Sequence, residues 1–249
     1  MIKKINYSTA IKQATFSAMK LDKNVIVYGL GVGHSSNIYG TTKGLKEKFG
    51  KDRVFDTPAS ESALTAMGTG MGLAGLRPLL IHQRFDFMIY SLDQIVNWIS
   101  LWSYKSAGKS QIPLTIRAVV GKGWGQGPQH SKTLHSWFAH LPGLSVVYPS
   151  SPYEAKGLML SSIFANYPTI FFESRSLHAM EENVPTEPYF LEKDISLGTD
   201  IFKSKTTYAD ESSYDNNTAG AGLRLSYKLT EKVRHSWNYS FKNEEIEGV

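Results

Sequence analysis

A glutamate at the start of a glycine-rich helical stretch is the first residue of this chain whose placement could do chemistry. Val54-Phe55-Asp56-Thr57-Pro58-Ala59-Ser60-Glu61 leads into a segment carrying Gly68, Gly70, Gly72 and Gly75. It matches no nucleotide-binding fingerprint. A carboxylate in a first helical turn is favoured by the helix dipole with or without a ligand, so by position alone Glu61 reads as a solvated helix-start carboxylate. His130 is the second candidate. It follows Gly121, Gly123, Gly125 and Gly127, and an imidazole at the end of a pliant loop is placed to meet a substrate and to exchange a proton near neutral pH. The chain has no cysteine, which removes disulfides, thiolate-bound metals, iron–sulfur clusters and thiol nucleophiles from the possible chemistry.

The elements that must hold these residues follow from hydrophobic periodicity. Helical spacing from Ser8 to about Lys20 precedes an apolar strand, Val25-Ile26-Val27-Tyr28. A helix is predicted from near Ser60 to Leu76, stopped by Arg77-Pro78, and Leu79-Leu80-Ile81 supplies the next strand. The helix glycines each cost about 1 kcal/mol of propensity relative to alanine, and close helix packing is the expected compensation. Asp86 to about Ser106 reads as one long helix with Ile95, Trp98, Ile99 and Trp102 on a face, followed by the strand Pro113-Leu114-Thr115-Ile116-Arg117. Ser145-Val146-Val147-Tyr148 is a further strand. Ser151, Pro152 and Glu154 then form a capping box that opens a helix, and Thr169-Ile170-Phe171-Phe172-Glu173 is the strand after it. Short buried strands alternating with helices specify an α/β fold with a mainly parallel sheet and helices on both faces.

Beyond Pro188 the pattern changes. Ala219 to Leu229 and Val233 to Phe241 alternate with a period of two around a turn at Thr230-Glu231-Lys232, which specifies an antiparallel β-hairpin. Tyr208 to Asn217 reads as an exposed polar loop. The expected organisation is thus a domain over residues 1–190 and an atypical β-rich tail over residues 191–249. A hydrophobic share of 41%, with 20% charged residues, is that of a globular protein. The formal charge of +5 comes without a Lys/Arg cluster interleaved with aromatics, so nucleic acid is not an expected partner. The N-terminus lacks the apolar run of a secretory signal, and no membrane association is expected of residues 1–190. The expected location is the cytoplasm.

Eight segments taken together carry a family resemblance. Asp56-Thr57-Pro58-x-Ser60-Glu61, Gly75-Leu76-Arg77-Pro78, Asp86-Phe87, Asp93-Gln94-Ile95-Val96-Asn97, Gln129-His130-Ser131, His140-x-Pro142-Gly143-Leu144, Pro149-Ser150 and Ala155-Lys156-Gly157-Leu158 resemble, in order and spacing, the beta subunit of the thiamine-diphosphate-dependent decarboxylase of pyruvate and branched-chain 2-oxoacid dehydrogenase complexes, built on a transketolase-like pyrimidine-binding domain. The resemblance implies that Glu61 hydrogen-bonds the aminopyrimidine ring of the cofactor and favours the imino tautomer that acts as base. It places Phe87 against the ring and His130 as a catalytic residue interacting with the substrate carboxylate or an intermediate. Gln83, with Arg84, is expected to line the same pocket. His135 and His140 are expected to be structural, and His34 and His82 have no assigned role.

The chain has no Gly-Asp-Gly segment, which this superfamily uses for the diphosphate and Mg²⁺. No metal site is therefore expected here. The resemblance implies that thiamine diphosphate is shared with an alpha subunit that holds the Mg²⁺, within a heterotetramer containing a second beta subunit, and that a lipoyl acyltransferase receives the acyl group. Two features depart from the family. Gly29-Leu30-Gly31 stands where an acid is usual after the first strand. From about residue 192 the chain does not resemble the family's C-terminal domain, and the hairpin instead resembles strands of an outer-membrane β-barrel of the assembly-factor type. The expectation is a truncated decarboxylase domain joined to an unrelated fragment. A split transketolase-like enzyme acting on sugar phosphates, and a catalytically inert fusion or outer-membrane fragment, are the competing readings.

Overall fold

The computed structural model describes residues 1–191 apart from 35, 123 and 124, together with the backbone of three strands within residues 194–248. The chain folds as two units, Met1–Glu192 and Lys193–Val249.

In the first unit the chain begins with strand β1 (Ile2–Asn6) and helix α1 (Tyr7–Leu21). The Asn6 side chain accepts a hydrogen bond from the Thr9 N–H at 2.9 Å, so the helix is capped two residues before Ser8. Then follow β2 (Val25–Gly29), α2 (Leu45–Phe49), β3 (Val54–Asp56), α3 (Glu61–Leu73) and β4 (Arg77–His82). The segment expected as one long helix is broken. It comprises α4 (Phe85–Met88), a 3-10 turn (Ile89–Ser91), a π-helical turn (Gln94–Ile99) and α5 (Trp102–Lys105). The Ser100 N–H reaches back five residues to the Ile95 carbonyl, and the Ser100 hydroxyl takes the Val96 carbonyl that an α-helix would have used. Ile95 and Ile99 are thereby buried while Trp98 stays 46% exposed. Apolar spacing over so few turns does not separate the two helical pitches.

The chain continues through β5 (Thr115–Val120), α6 (His135–Ala139), β6 (Ser145–Val147), α7 (Pro152–Phe164), β7 (Thr169–Ser174) and β8 (Glu181–Pro185). Strand β5 starts two residues later than the apolar run suggests, after Pro113, which has no N–H for a ladder. Helix α7 is capped as predicted by Ser151, whose side chain accepts from the Glu154 N–H. The return bond is displaced by one residue, because the Glu154 carboxylate accepts from the N–H and hydroxyl of Ser150.

Six strands form one parallel sheet in the order β3-β2-β4-β5-β7-β6. Alternate residues feed two cores. Val25, Val27, Leu79, Ile81, Val119 and Phe171 pack with α1 and α7 on one face, whereas Tyr28, Leu80, Ile116, Ala118, Val120 and Phe172 pack with Leu64, Ile95, Ile99 and Phe138 on the other. Helices on both faces explain strands that read as unbroken apolar runs. Strands β1 and β8 make a separate antiparallel pair, Ile2 opposite Pro185 through Asn6 opposite Glu181.

The second unit is an antiparallel sheet of three strands, β9 (Asp194–Tyr208), β10 (Tyr214–Thr230) and β11 (Val233–Gly248), in the order β11-β10-β9. The predicted hairpin corresponds to β10 and β11, with Leu225 opposite Trp237 and Ala221 opposite Phe241. Strand β9 was not expected, and residues 214–217, read from their polarity as loop, pair with both neighbours. Ladder bonds do not require apolar side chains. The turn residues Glu231 and Lys232, the central part of the polar stretch and Gly123 of the glycine-rich loop lie outside the described residues.

Candidate functional site

From β2 the chain passes first to β3 on one side of it and then to β4 on the other, so the strand order reverses at the β2–β4 boundary. In open parallel sheets ligands bind beyond the carboxyl ends of the strands at such a switch point. A cavity of about 240 Å³ lies there. Leu30, directly after β2, and His82 and Gln83, at the end of β4, form part of its wall. Two glycines bring these strand ends together. At Gly29 (φ +144°) a Cβ would overlap the Ile81 carbonyl, and at Gly31 (φ +82°) it would overlap the Gln83 side chain. Only glycine meets both the conformation and the space.

Ala59, Glu61 and Leu64 supply the α3 side of the cavity. Glu61 is the first residue of α3 and is half-buried. Ser60, which precedes it, makes no side-chain cap, so the charge at this helix start is the Glu61 carboxylate itself. The helix is held close to the sheet. At Gly68 a Cβ would overlap the Tyr28 hydroxyl and lie 2.9 Å from Leu114 Cδ1, and at Gly72 it would sit 3.3 Å from Ile112 and Pro113. The expected compensation for the helix glycines is therefore found, but against a strand tyrosine and the 112–114 segment rather than against another helix. Gly70 and Gly75 have no neighbour that a Cβ would meet. The Tyr28 hydroxyl donates to the Leu64 carbonyl at 2.9 Å, and the Thr65 hydroxyl lies 2.9 Å from both the Glu61 carbonyl and the Ser91 hydroxyl.

The third side is built by Arg84, Phe87, Gln126 and His130. Phe87 meets the His130 ring edge-on, with centroids 5.3 Å apart and planes at 80°. Arg84 donates to the Gln126 side-chain oxygen at 3.1 Å and to the Gln83 carbonyl at 3.2 Å, and its guanidinium lies over the Tyr39 ring. Burial lowers its pKa, Asp86 opposes this and Arg175 adds to it. The loop with His130 is pinned to α4 by buried Asp86, one of whose oxygens accepts from the Lys132 backbone N–H at 3.1 Å and faces its ammonium at 3.3 Å.

All of the residues predicted for the site, Glu61, Gln83, Phe87 and His130, thus line one cavity, as does Leu30 at the position where an acid was expected. The nearby acid Asp56 accepts from the Gly33 N–H at 2.9 Å. His82 was missed. Burial pushes its imidazole down to about 4, and its Nε2 is buried without a hydrogen-bond partner. The available signal was its place at the end of a central strand, one residue before Gln83. His135 packs edge-on against Tyr148 and Phe172, and burial lowers its pKa. His140 follows α6, and His34 contacts the Ser36 hydroxyl. Among the described residues no three His, Asp or Glu side chains gather as a metal site, and no helix is long and apolar enough to cross a membrane.

Comparison with known proteins identifies the family of the first unit. The family described as transketolase, pyrimidine binding domain matches residues 3–180, and the Omp85 superfamily domain matches residues 185–248. The chain is 41% identical over 182 residues to pyruvate dehydrogenase E1 component subunit beta-4, chloroplastic, of Oryza sativa subsp. japonica, which covers 73% of this chain and 46% of that protein. It is 39% identical over 184 residues to pyruvate dehydrogenase E1 component subunit beta of Bacillus subtilis (strain 168), covering 74% and 57%. The acetoin:2,6-dichlorophenolindophenol oxidoreductase subunit beta of the same organism is 36% identical over 201 residues, covering 76% and 59%. The chain therefore spans about half the length of the curated relatives it matches. Among solved structures, a split gene transketolase described as an inactive beta4 tetramer aligns with a TM-score of 0.56 at 17% identity, over 69% of this chain and 51% of that one, which is a likeness of fold.

Proposed function

Because this chain belongs, through residues 3–180, to the transketolase pyrimidine-binding-domain family, we propose that its first unit is the pyrimidine-binding half-site of a thiamine-diphosphate-dependent 2-oxoacid dehydrogenase decarboxylase, acting as a beta subunit. The observation that carries this reading is the convergence of Glu61, Phe87 and His130, from three separate elements, on one cavity at the switch point of the sheet. Complete sites for small molecules run to about 300–1,000 Å³. A cavity of about 240 Å³ is the size of a half-site, fit for one ring of a larger cofactor. The donor set suits an aminopyrimidine: a carboxyl group for a ring nitrogen and an aromatic face for the ring.

Thiamine diphosphate, when bound, supplies the nucleophilic carbon and the electron sink for decarboxylation. Glu61 would hold the ring by a hydrogen bond at a pyrimidine nitrogen and favour the tautomer in which the ring's own amino group serves as base. Phe87 packs against the ring and excludes water, which strengthens that hydrogen bond. His130, set edge-on to Phe87, faces the incoming 2-oxoacid and orients its carboxylate. Arg84, fixed by Gln126, adds positive charge to the entry. An alpha subunit holds the diphosphate and Mg²⁺, a second beta subunit completes the assembly, and the lipoyl group of an acyltransferase accepts the acyl product. The names of the curated relatives support this assignment over a sugar-phosphate transferase. The strands of the second unit lie in the region similar to Omp85.

Co-expression with a candidate alpha subunit, followed by thiamine diphosphate titration and 2-oxoacid decarboxylation assays, tests the assignment. Glu61→Gln, which keeps the volume and removes the acid, is expected to reduce turnover at least about 100-fold, the lower range for loss of positioned acid–base assistance. Equal turnover in the two proteins would remove Glu61 from this role.

A further inference from the structure

Residues 37–39 pass through three consecutive left-handed conformations, Asn37 and Ile38 at φ +45° and Tyr39 at φ +58°. None is glycine, and for the β-branched Ile38 this conformation is costly. The run is held from several sides. Ile38 is buried, its carbonyl accepts from the Thr41 hydroxyl at 2.7 Å, and the Thr42 N–H donates to the Asn37 carbonyl at 3.1 Å. The guanidinium of Arg117, itself buried against Glu173, donates to the Thr41 hydroxyl. Strain kept by such over-determination clusters at binding and catalytic sites. The residue that this run delivers is Tyr39. The Arg84 guanidinium lies over its ring, 5.4 Å from the centroid, as does that of Arg175 at 4.9 Å, and the buried His178 ring is 5.7 Å away. Arg84 lines the cavity that holds Glu61, Phe87 and His130. We propose that Tyr39 is a positioning residue, which holds the Arg84 guanidinium in the cavity wall to bind the carboxylate of the 2-oxoacid substrate. The inference rests on the half-site reading above and adds to it a substrate-binding cation and its support.

The contacts of Arg84 suit that task. An arginine carries five N–H donors, and here two of them meet the Gln83 carbonyl at 3.2 Å and the Gln126 side-chain oxygen at 3.1 Å. Those two groups and the Tyr39 ring are neutral, and neutral anchors orient a cation without cancelling its charge. Of the charged groups nearby, Asp86 faces the Lys132 ammonium at 3.3 Å, Arg175 shares the Tyr39 ring, and Glu61 belongs to the same cavity wall. A 2-oxoacid brings a planar carboxylate, the shape that a guanidinium matches through paired hydrogen bonds. In a partly buried wall that pairing is stronger than in open water. A neutral 2-hydroxyketone gains nothing from it, so Tyr39 and Arg84 together select for the acid.

The test uses the full chain assembled with its alpha subunit, in steady-state decarboxylation of pyruvate and 2-oxoisovalerate and in titration with thiamine diphosphate and Mg²⁺. Tyr39→Leu removes the aromatic face and keeps an apolar side chain. It is expected to raise KM for the 2-oxoacid about tenfold, the range of one partly desolvated cation–π contact, with kcat and cofactor affinity within about twofold of wild type. Tyr39→Phe keeps the face and is expected to keep KM. In the double variant with Arg84→Gln, KM is expected to match that of Arg84→Gln alone, because one change has already removed what the other supports. A tyrosine that only fills space would instead lower kcat and cofactor affinity with KM, and its effect would add to that of Arg84→Gln. Either result, or an unchanged KM in Tyr39→Leu, overturns the proposal. Arg84→Lys decides if Tyr39→Leu does not assemble, since lysine keeps the charge and loses the planar group. A KM as high as that of Arg84→Gln then supports the proposal, and a wild-type KM overturns it. If the wild-type assembly binds the cofactor and turns over a 2-oxoacid but Tyr39→Leu does so with the same KM, only this inference fails. If the wild-type assembly does not bind the cofactor, the half-site reading fails and takes this inference with it.

Discussion

His82 and Glu61 line the same cavity yet answer to different physics. The Glu61 side chain sits at a half-buried helix start. The imidazole sits at the closed end of a strand, where burial disfavours charge and lowers its pKa to about 4. A pH dependence of folding follows. In the unfolded chain a histidine titrates near 6.5, so between pH 6.5 and about 4 the unfolded state binds a proton that the folded state refuses. His82 therefore contributes its full stability above pH 6.5, and this is lost as the pH falls towards 4. The contribution lost by pH 4.5 is on the order of 2–3 kcal/mol. His135 and His178 are shifted in the same direction by burial. Urea unfolding of the ligand-free chain at pH 7 and pH 4.5 is expected to show a smaller loss of stability for His82→Leu than for wild type. A loss of the same size in both would show that His82 does not resist protonation.

The position of Glu61 depends on how closely α3 approaches the sheet, and Gly68 controls that distance. A Cβ there would overlap the Tyr28 hydroxyl, which is already committed to the Leu64 carbonyl. Gly68→Ala gains helix propensity of about 1 kcal/mol but forces a strain of about 1–3 kcal/mol, because Tyr28 is fully buried. Net destabilisation by up to about 2 kcal/mol is expected in chemical denaturation, together with weaker cofactor binding as Glu61 is displaced. Gly70→Ala, where the added methyl meets nothing, is the control and is expected to be neutral or stabilising. Gly68→Ala melting like Gly70→Ala would show that α3 does not depend on this contact. Helices α3 and α7 and the central strands were legible in the sequence because their signals are local: apolar period, Ser151 as a cap, Arg77-Pro78 as a stop. Strand β1 was not, since its residues Ile2 to Asn6 include two lysines and pair with Glu181 to Pro185 at the far end of the unit. No local pattern encodes a partner so distant. The break between α4 and α5 was hidden because the hydroxyl of Ser100, rather than any apolar residue, turns the helix. The expectations for Glu61, Gln83, Phe87 and His130 came from the resemblance to a family, whereas His82 has a place in the cavity wall only through the end of β4, which the resemblance did not mark.

At the scale of the molecule, the closing segment of the first unit is what makes its boundary matter. The Thr186 N–H donates to the Met1 carbonyl at 2.9 Å, and β8 covers β1 along its length. The ammonium of buried Lys156 donates to the carbonyls of Pro185 and Thr186, and the Ser161 hydroxyl donates to the Leu191 carbonyl at 2.9 Å. At Gly157 a Cβ would meet Leu191 and Tyr189, so residues 181–191 pack on α7 as part of the unit even though the family match ends at residue 180. A chain of residues 1–191 keeps every one of these contacts. A chain of residues 1–180 strips β1 of its partner and removes the two carbonyl acceptors of the Lys156 ammonium, hydrogen bonds from a charged group worth about 1.5–3 kcal/mol each. The 1–191 chain is expected to melt in one cooperative transition and to bind thiamine diphosphate with the alpha partner as the full chain does. The 1–180 chain is expected to be less stable by at least that amount or to be recovered only as aggregate. Equal melting temperatures for the two truncations would show that β8 and the 186–191 segment add nothing to the unit. Failure of the 1–191 chain to fold would show that residues 192–249 are needed by it.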